Sequence, residues 1–341
     1  MPLVSVLIPF KSPGDFFEDC LISVVNQSLK NFEVVLISDE ADSQALSIAN
    51  NFRSAFPHLI KIFSSPGKGI VEALNFGIEQ CSASLIARMD ADDIMLPNRL
   101  LIQSKYLNDN PEISILGTQV KHIDERGIEI VGRNSYVVGR ENLRAALLNG
   151  CELAHPTVMF RKNIIQTLSG YRKQFQYAED YDLWLRARDI TQIDNLEQVL
   201  LLYRLHSNQS SNVYTSEQTI ATRAAIISSK IRANEIHADS DCPEANETLS
   251  DWVSKISLKL PEYSDAYKFR EIIKFNSTQK RTMHDLLWVS ARSNSRLGIK
   301  KILPYIIKAF AIRPLHTITK VFKIIARRIY FNLREKRKKD V

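Results

Sequence analysis

The 341-residue sequence has no apolar run that approaches the roughly 18 residues of a membrane-spanning helix. Its first stretch, MPLVSVLIPF, lacks the basic start and the length of a signal peptide, so a cytoplasmic location is expected. Cysteine is scarce. Cys20, Cys81, Cys151 and Cys242 lie far apart and form no C-x-x-C pair, which argues against zinc and dithiol chemistry and leaves buried thiols. N-x-[ST] matches such as those at Asn208, Asn246 and Asn276 would matter only in a secreted chain. Low-complexity sequence is missing. So are G-x-x-x-x-G-K-[ST] and G-x-G-x-x-G, which removes the phosphate cradles of P-loop NTPases and dinucleotide dehydrogenases.

What is present is the composition of a folded protein: 45% hydrophobic, 24% charged and 9% aromatic residues. The length suits one principal domain with an appendage. The net charge of +7 is unevenly spread, because residues 296–341 hold fourteen Lys and Arg against Glu335 and Asp340. The rest of the chain is therefore acidic. A nucleic-acid-binding domain carries its basic patch on the fold itself, so no nucleic-acid partner is expected.

The first ninety residues alternate strand-like and helical patterns, the signature of an α/β doubly wound sheet. Strands are expected at 4–10, 33–38, 59–63 and 84–89, with helices at 15–27, 42–55 and 70–80 between them. Phe17, Leu21, Val24 and Val25 share one face of the first helix. Next come a helix near 97–109, a strand at 112–118, a β-rich insert through Val138, a helix at 179–189 and a strand near 199–203. From about 215 the pattern turns helical, giving two expected parts, 1–214 and 215–341.

Ligands of open α/β sheets bind beyond the carboxyl ends of the strands, where Asp39 and the Asp90-Ala91-Asp92-Asp93 cluster both fall. Three carboxylates in four positions suit a hard divalent cation held against a diphosphate. The competing role is N-capping of the helix that Pro97 helps to open, which accounts for one aspartate better than for three. Asp39 could accept hydrogen bonds from a base or ribose, or be a plain turn residue. On the 179–189 helix Asp180 shares a face with Leu183, Trp184 and Ala187, opposite Glu179, Asp182, Arg186 and Asp189. A carboxylate on that face beside a cleft is a candidate general base, and the alternative is a first-turn acid that stabilises the helix. His206 could supply an imidazole to a metal or phosphate, with Arg204 as a second cation. For His155, before Pro156, a packing or turn role is expected.

Taken in order, VSVLIPF, NQSLKNFEVVLISD, ALNFGIEQCSASLIARMDADD, HPTVMFRK, YAEDYDLWLR and YRLHSNQSS resemble the inverting glycosyltransferase family 2, over roughly residues 3–212. The resemblance implies a GT-A fold, a Rossmann-like mixed sheet flanked by helices, here with a C-terminal helical extension. It implies that Pro9, Asp39 and Asp90 line the donor nucleotide, that Asp92 binds Mn²⁺ or Mg²⁺, that His206 lies near the diphosphate and that Asp180 is the catalytic base. The implied reaction moves a sugar from a nucleotide-sugar donor, a UDP-sugar by expectation, to a saccharide or lipid-linked acceptor of surface glycan synthesis, with inversion. The chain departs from many members in having Ser38-Asp39-Glu40-Ala41 where they carry an acidic pair and Gly-Ser, and Leu74 where Arg is common. A sugar-phosphate nucleotidyltransferase and a non-catalytic nucleotide-sugar binding module are the alternatives. The first lacks its Gly-rich, basic loop after strand one, and the second would need no Asp180.

At the C-terminus, Leu315, Ile318, Phe322, Ile325, Ile329 and Leu333 form one stripe of a helix, with Lys320, Lys323, Arg327 and Arg334 on another. Such a helix can lie among headgroups, so peripheral contact with the inner face of the cytoplasmic membrane is expected, against the alternative of a helix packed on the catalytic domain.

Overall fold

The computed structural model describes residues 1–257 except 131–134, 207–208, 210–213, 238–239 and 245. The basic stripe at 315–334 and most of the expected extension lie outside the described residues. Met1–Ile256 forms one compact unit.

The first half is built as the apolar pattern predicts. β1 (Val4–Phe10) and β2 (Phe32–Ser38) are buried at every position, because helices cover both faces of a parallel sheet. α1 (Phe16–Val25) buries Phe17, Cys20, Leu21 and Val24; Val25, expected on that face, is only half-buried, and Cys20 takes its place. Asp42 caps α2 (Ser43–Ala55) by accepting from the Ala45 amide at 2.8 Å. Beyond it lie β3 (Ile60–Ser64) and α3 (Ile70–Gln80). α3 lies close on β1 and β2 at Gly77, where a Cβ would collide with Leu7 Cδ1 and stand 2.9 Å from Ile37 Cγ1. On the other face, alternate residues Val4, Val6, Ile8 and Phe10 join α1 in the main core.

β4 (Leu85–Arg88) pairs parallel to β1, on the side away from β2. The chain then adds β5 (Ile94–Met95), α4 (Arg99–Asp109), β6 (Ile113–Ile123), β7 (Glu129–Ile130), α5 (Arg140–Ala146), β8 (Met159–Arg161), α6 (Lys162–Thr167), α7 (Glu179–Arg188) and β9 (Gln192–Arg204). The two helices α8 (Thr215–Arg232) and α9 (Leu249–Ser257) close the described part. The mixed sheet runs β3-β2-β1-β4-β8-β6-β9-β5, with β7 on β6. Strand order reverses at β1, since β2 and β3 extend one way and β4 the other, and this opens a crevice at the strands' carboxyl ends.

The second half departs from the pattern reading. The strand expected at 112–118 runs on to Ile123, and the one near 199–203 is the end of the thirteen-residue β9. The two pair in parallel with bulges that shift the register. The insert, expected to be β-rich, contributes the two residues of β7 among those described. β8 was not anticipated, and it enters antiparallel between β4 and β6. No helix among the described residues is long and apolar enough to cross a membrane.

Candidate functional site

At the crevice lies a cavity of about 730 Å³, within the usual range for small-molecule sites. Pro9, Asp39, Asp90, Asp92, Asp180 and His206, all singled out from sequence, line it and so converge on one space. Arg204 does not line it. Its guanidinium is buried against the Phe16 ring, 4.6 Å from the centroid, and donates to the Asp92 and Glu125 carbonyls and to Asp19.

β1 and β2 deliver Pro9 and Asp39. The Asp39 amide donates to the Phe10 carbonyl, and its Oδ1 accepts from the Gly69 amide at 3.0 Å, at the start of α3. β4 delivers the acid cluster. Asp90 is forked by Arg88, whose two terminal nitrogens lie 2.6 and 2.7 Å from its oxygens. Asp92 Oδ2 is 2.8 Å from His206 Nε2, brought across from the end of β9. Asp93 is fully buried, and its Oδ1 accepts from the Arg204 amide while Oδ2 has no hydrogen-bond partner. Helix capping does not account for these acids, since α4 starts at Arg99 behind Asn98.

Side-chain oxygens of Asp90, Asp92 and Asp93 lie within 4.8 Å of one another. Burial pushes the Asp90 carboxyl up against the opposing charge of Arg88, and burial together with the Asp92 and Asp90 charges pushes Asp93 well up. Three crowded carboxylates, one with an orphaned oxygen, fit a divalent cation: the donors are hard oxygens, and a dication relieves their repulsion. Asp92 and His206 offer the adjoining ligand atoms.

Another part of the lining comes from α7. Asp180 is 23% exposed at its side chain, and its Oδ1 accepts from the Tyr181 amide while Oδ2 stands 4.0 Å from His155 Nδ1. Burial raises its pKa to about 6, against the opposing charge of Arg88. Glu179, also lining the cavity, is raised by burial and then by the Asp180 charge. His155 is held neutral by burial and by Arg88, and its Nε2 shares a 2.9 Å hydrogen bond with Tyr171. It thus belongs to the cavity wall beside Asp180 as well as to a turn, beyond the packing role expected of it.

The face of α7 opposite Asp180 is not a solvated one. Asp182 is fully buried and takes Arg172 at 2.5 and 3.0 Å and Arg186 at 2.9 Å; Arg172 also reaches Asp241 at 2.9 Å. Ser228 of α8 accepts from Arg172 as well, so charged residues fasten α7 to α8 and to the loop around Asp241. Sequence reasoning missed Arg88, Asn75 and the tyrosines at the cavity rim. Asn75 holds the Tyr171 backbone through both its amide nitrogen and its oxygen, at 2.9 and 2.8 Å. The signals available were an Arg two residues before the first aspartate and two Tyr flanking the candidate helices.

The profile of Glycosyl transferase family 2 matches residues 5–169. The O-antigen biosynthesis glycosyltransferase WbnJ of Escherichia coli is 31% identical over 213 residues, 62% of this chain and 82% of that protein. The amylovoran biosynthesis glycosyltransferase AmsE of Erwinia amylovora is 33% identical over 210 residues, 60% of this chain and 77% of its own. Among solved structures, S. aureus TarS 1-349 in complex with UDP-GlcNAc superposes with a TM-score of 0.57 at 15% identity, covering 84% of this chain and 81% of that one. Mannosyltransferase PcManGT from Pyrobaculum calidifontis, in complex with GDP-Man and Mn²⁺, gives 0.51 at 14% identity, covering 91% and 86%. At those identities the structures speak for the fold, and the sequence relatives for the family. The chain belongs to glycosyltransferase family 2 and has the GT-A fold.

Proposed function

We propose that this glycosyltransferase transfers a sugar, with inversion, from a nucleotide-sugar donor, a UDP-sugar, to a hydroxyl of a saccharide or lipid-linked acceptor in surface glycan synthesis. The observation that carries the reading is that Asp180 and the Asp92–His206 pair line one cavity. A single displacement needs a base on one side of the anomeric carbon and a stabilised leaving group on the other. The names of WbnJ and AmsE, and the nucleotide sugars bound by TarS and PcManGT, support the substrate classes.

Asp180 takes the proton of the acceptor hydroxyl as its oxygen bonds the anomeric carbon, and the bond to the diphosphate oxygen breaks on the far side. Its raised pKa brings it nearer the operating range of a general base while leaving it mostly ionised at neutral pH. Pro9 and Asp39 hold the nucleoside, and Asp90, oriented by Arg88, borders the donor. A bound Mn²⁺ or Mg²⁺, held by Asp92 and His206, would neutralise charge on the departing diphosphate. Arg204 serves the donor side from behind, by donating from its Nε to the Asp92 carbonyl and from its backbone amide to the Asp93 carboxylate. Residues 1–214 form the catalytic module in this reading. The tail within 215–341 carries the enzyme to an anionic leaflet, which liposome co-sedimentation of full-length and 1–295 protein tests.

The deciding assay measures free nucleoside diphosphate released from UDP-, GDP- and dTDP-sugars with Mn²⁺, using membrane extract as acceptor source. Metal-dependent release from one donor, lost in Asp92→Ala, supports the proposal. Release from none, or release unchanged by Asp92→Ala, overturns it.

A further inference from the structure

The acceptor side of the cavity ends in an aromatic pair that the proposed displacement does not use. Tyr177 and Tyr214 stack with centroids 4.5 Å apart and planes 27° apart, and both line the cavity. Tyr177 holds a φ of +74°, a left-handed backbone that a bulky residue adopts at a cost. Tyr214, at the N-terminal end of α8, remains 39% exposed, so this ring keeps open surface despite the stack. Strained backbone and an exposed ring, both at the mouth of a cleft, are poor choices for stability alone.

Beside them Glu179 is 8% exposed, lines the same cavity, and has its Oε2 buried without a hydrogen-bond partner. A buried, unpaired carboxyl oxygen costs free energy that a ligand hydroxyl would return. Flat apolar rings next to an unsatisfied oxygen match a pyranose, which offers a C–H face and a ring of hydroxyls. Cations are missing from this wall: the only Lys and Arg among the described lining residues are Lys11, beside β1, and Arg88, committed to Asp90. A phosphate or a uronic acid would meet Glu179 and Asp180, with the one nearby guanidinium, Arg88, already paired to Asp90.

We infer that Tyr177, Tyr214 and Glu179 form a subsite for an uncharged pyranose, the terminal sugar of the acceptor, with the tyrosines carrying its apolar face and Glu179 a hydroxyl. The inference rests on the glycosyltransferase reading, because it takes the donor to occupy the side of Asp39 and Asp92. Tyr177 stands three residues before Asp180, which is where an acceptor must present its nucleophile.

Saturation-transfer NMR tests it, with Mg²⁺ and UDP or GDP present and the methyl glycosides of glucose, galactose, N-acetylglucosamine, mannose, rhamnose and glucuronic acid as probes. At least one neutral glycoside should receive saturation on its ring C–H protons, and the glucuronide none. Tyr214→Ala and Tyr177→Gly should each weaken that glycoside about threefold to tenfold, the loss expected for one stacked aromatic contact. Glycine at 177 keeps the positive φ available, so the second variant removes the ring without disturbing the turn. No neutral glycoside bound, a glucuronide bound equally well, or unchanged binding in both variants would each overturn the subsite. The nucleotide protons separate the two claims. Nucleotide saturation without a glycoside signal sinks the subsite alone, whereas absence of both sinks the transferase reading as well.

Discussion

Asp180→Asn removes the proposed base while keeping the shape and the hydrogen bond from the Tyr181 amide. Loss of a positioned general base lowers turnover by about 10²–10⁴-fold, and donor affinity should stay within about twofold because Asp180 lies on the wall proposed to face the acceptor. The pH profile gives the sharper check. With a pKa of about 6, Asp180 is about 90% ionised at pH 7 and about 10% at pH 5. A base works ionised, so kcat/KM of the wild type should fall on acidification through pH 6, approaching tenfold per unit below it. Glu179 titrates beside it, and the limb therefore belongs to the pair. Glu179→Gln removes a like charge and so must leave the limb in place or move it to lower pH. Donor turnover assayed from pH 4.5 to 9 reads all three. A limb near pH 4, a limb that moves up in Glu179→Gln, or an Asp180→Asn enzyme of wild-type rate would refute the assignment.

Three further outcomes rest on packing and burial. Asp182→Ala strands the Arg172 and Arg186 guanidiniums without their shared carboxylate, and should cost about 3–5 kcal/mol in urea unfolding; a loss under about 1 kcal/mol would mean that the cluster holds nothing together. Gly77→Ala drives a methyl into Leu7 and Ile37 and should destabilise by about 1–3 kcal/mol despite the better helix former, whereas a gain would show that α3 can back away from the sheet. Cys20 and Cys81 are buried, and burial raises both thiols, Cys81 to about 12, so a thiol reagent should modify them only on unfolding, with Cys151 and Cys242 reacting in the native protein.

The half of the site proposed to handle the donor was legible because its parts are covalent neighbours of strand ends. β1, β2 and β4 are short apolar runs at the carboxyl edge of one parallel sheet, and such a sheet puts the residues after each strand at the same edge. Asp39 and the Asp90–Asp93 run therefore shared a crevice before any packing was known. α7 was legible for its Asp180 face and misleading for the other, since helical periodicity sorts residues by side without saying what covers each side. Asp182 is charged and buried because Arg172, ten residues before it, comes to meet it and is itself held by Asp241, fifty-nine residues after Asp182.

The wall proposed to face the acceptor was illegible for the same physical reason in a stronger form. Three-residue β8 has too little length to show a period, and its place between β4 and β6 is set by pairing partners over seventy residues before it and over forty before it. That pairing carries the chain through His155 and onward to Tyr171, which Asn75 then clamps from ninety-six residues away. The resulting neighbours of Asp180, namely His155, Tyr171 and the Arg88 fork, are far apart in the chain, so no adjacency among them announces the wall they form. Chemistry that depends on adjacency, such as a carboxylate cluster, survives as a sequence pattern, whereas a surface shaped to one acceptor is assembled from distant singles and is free to differ from one glycosyltransferase to the next.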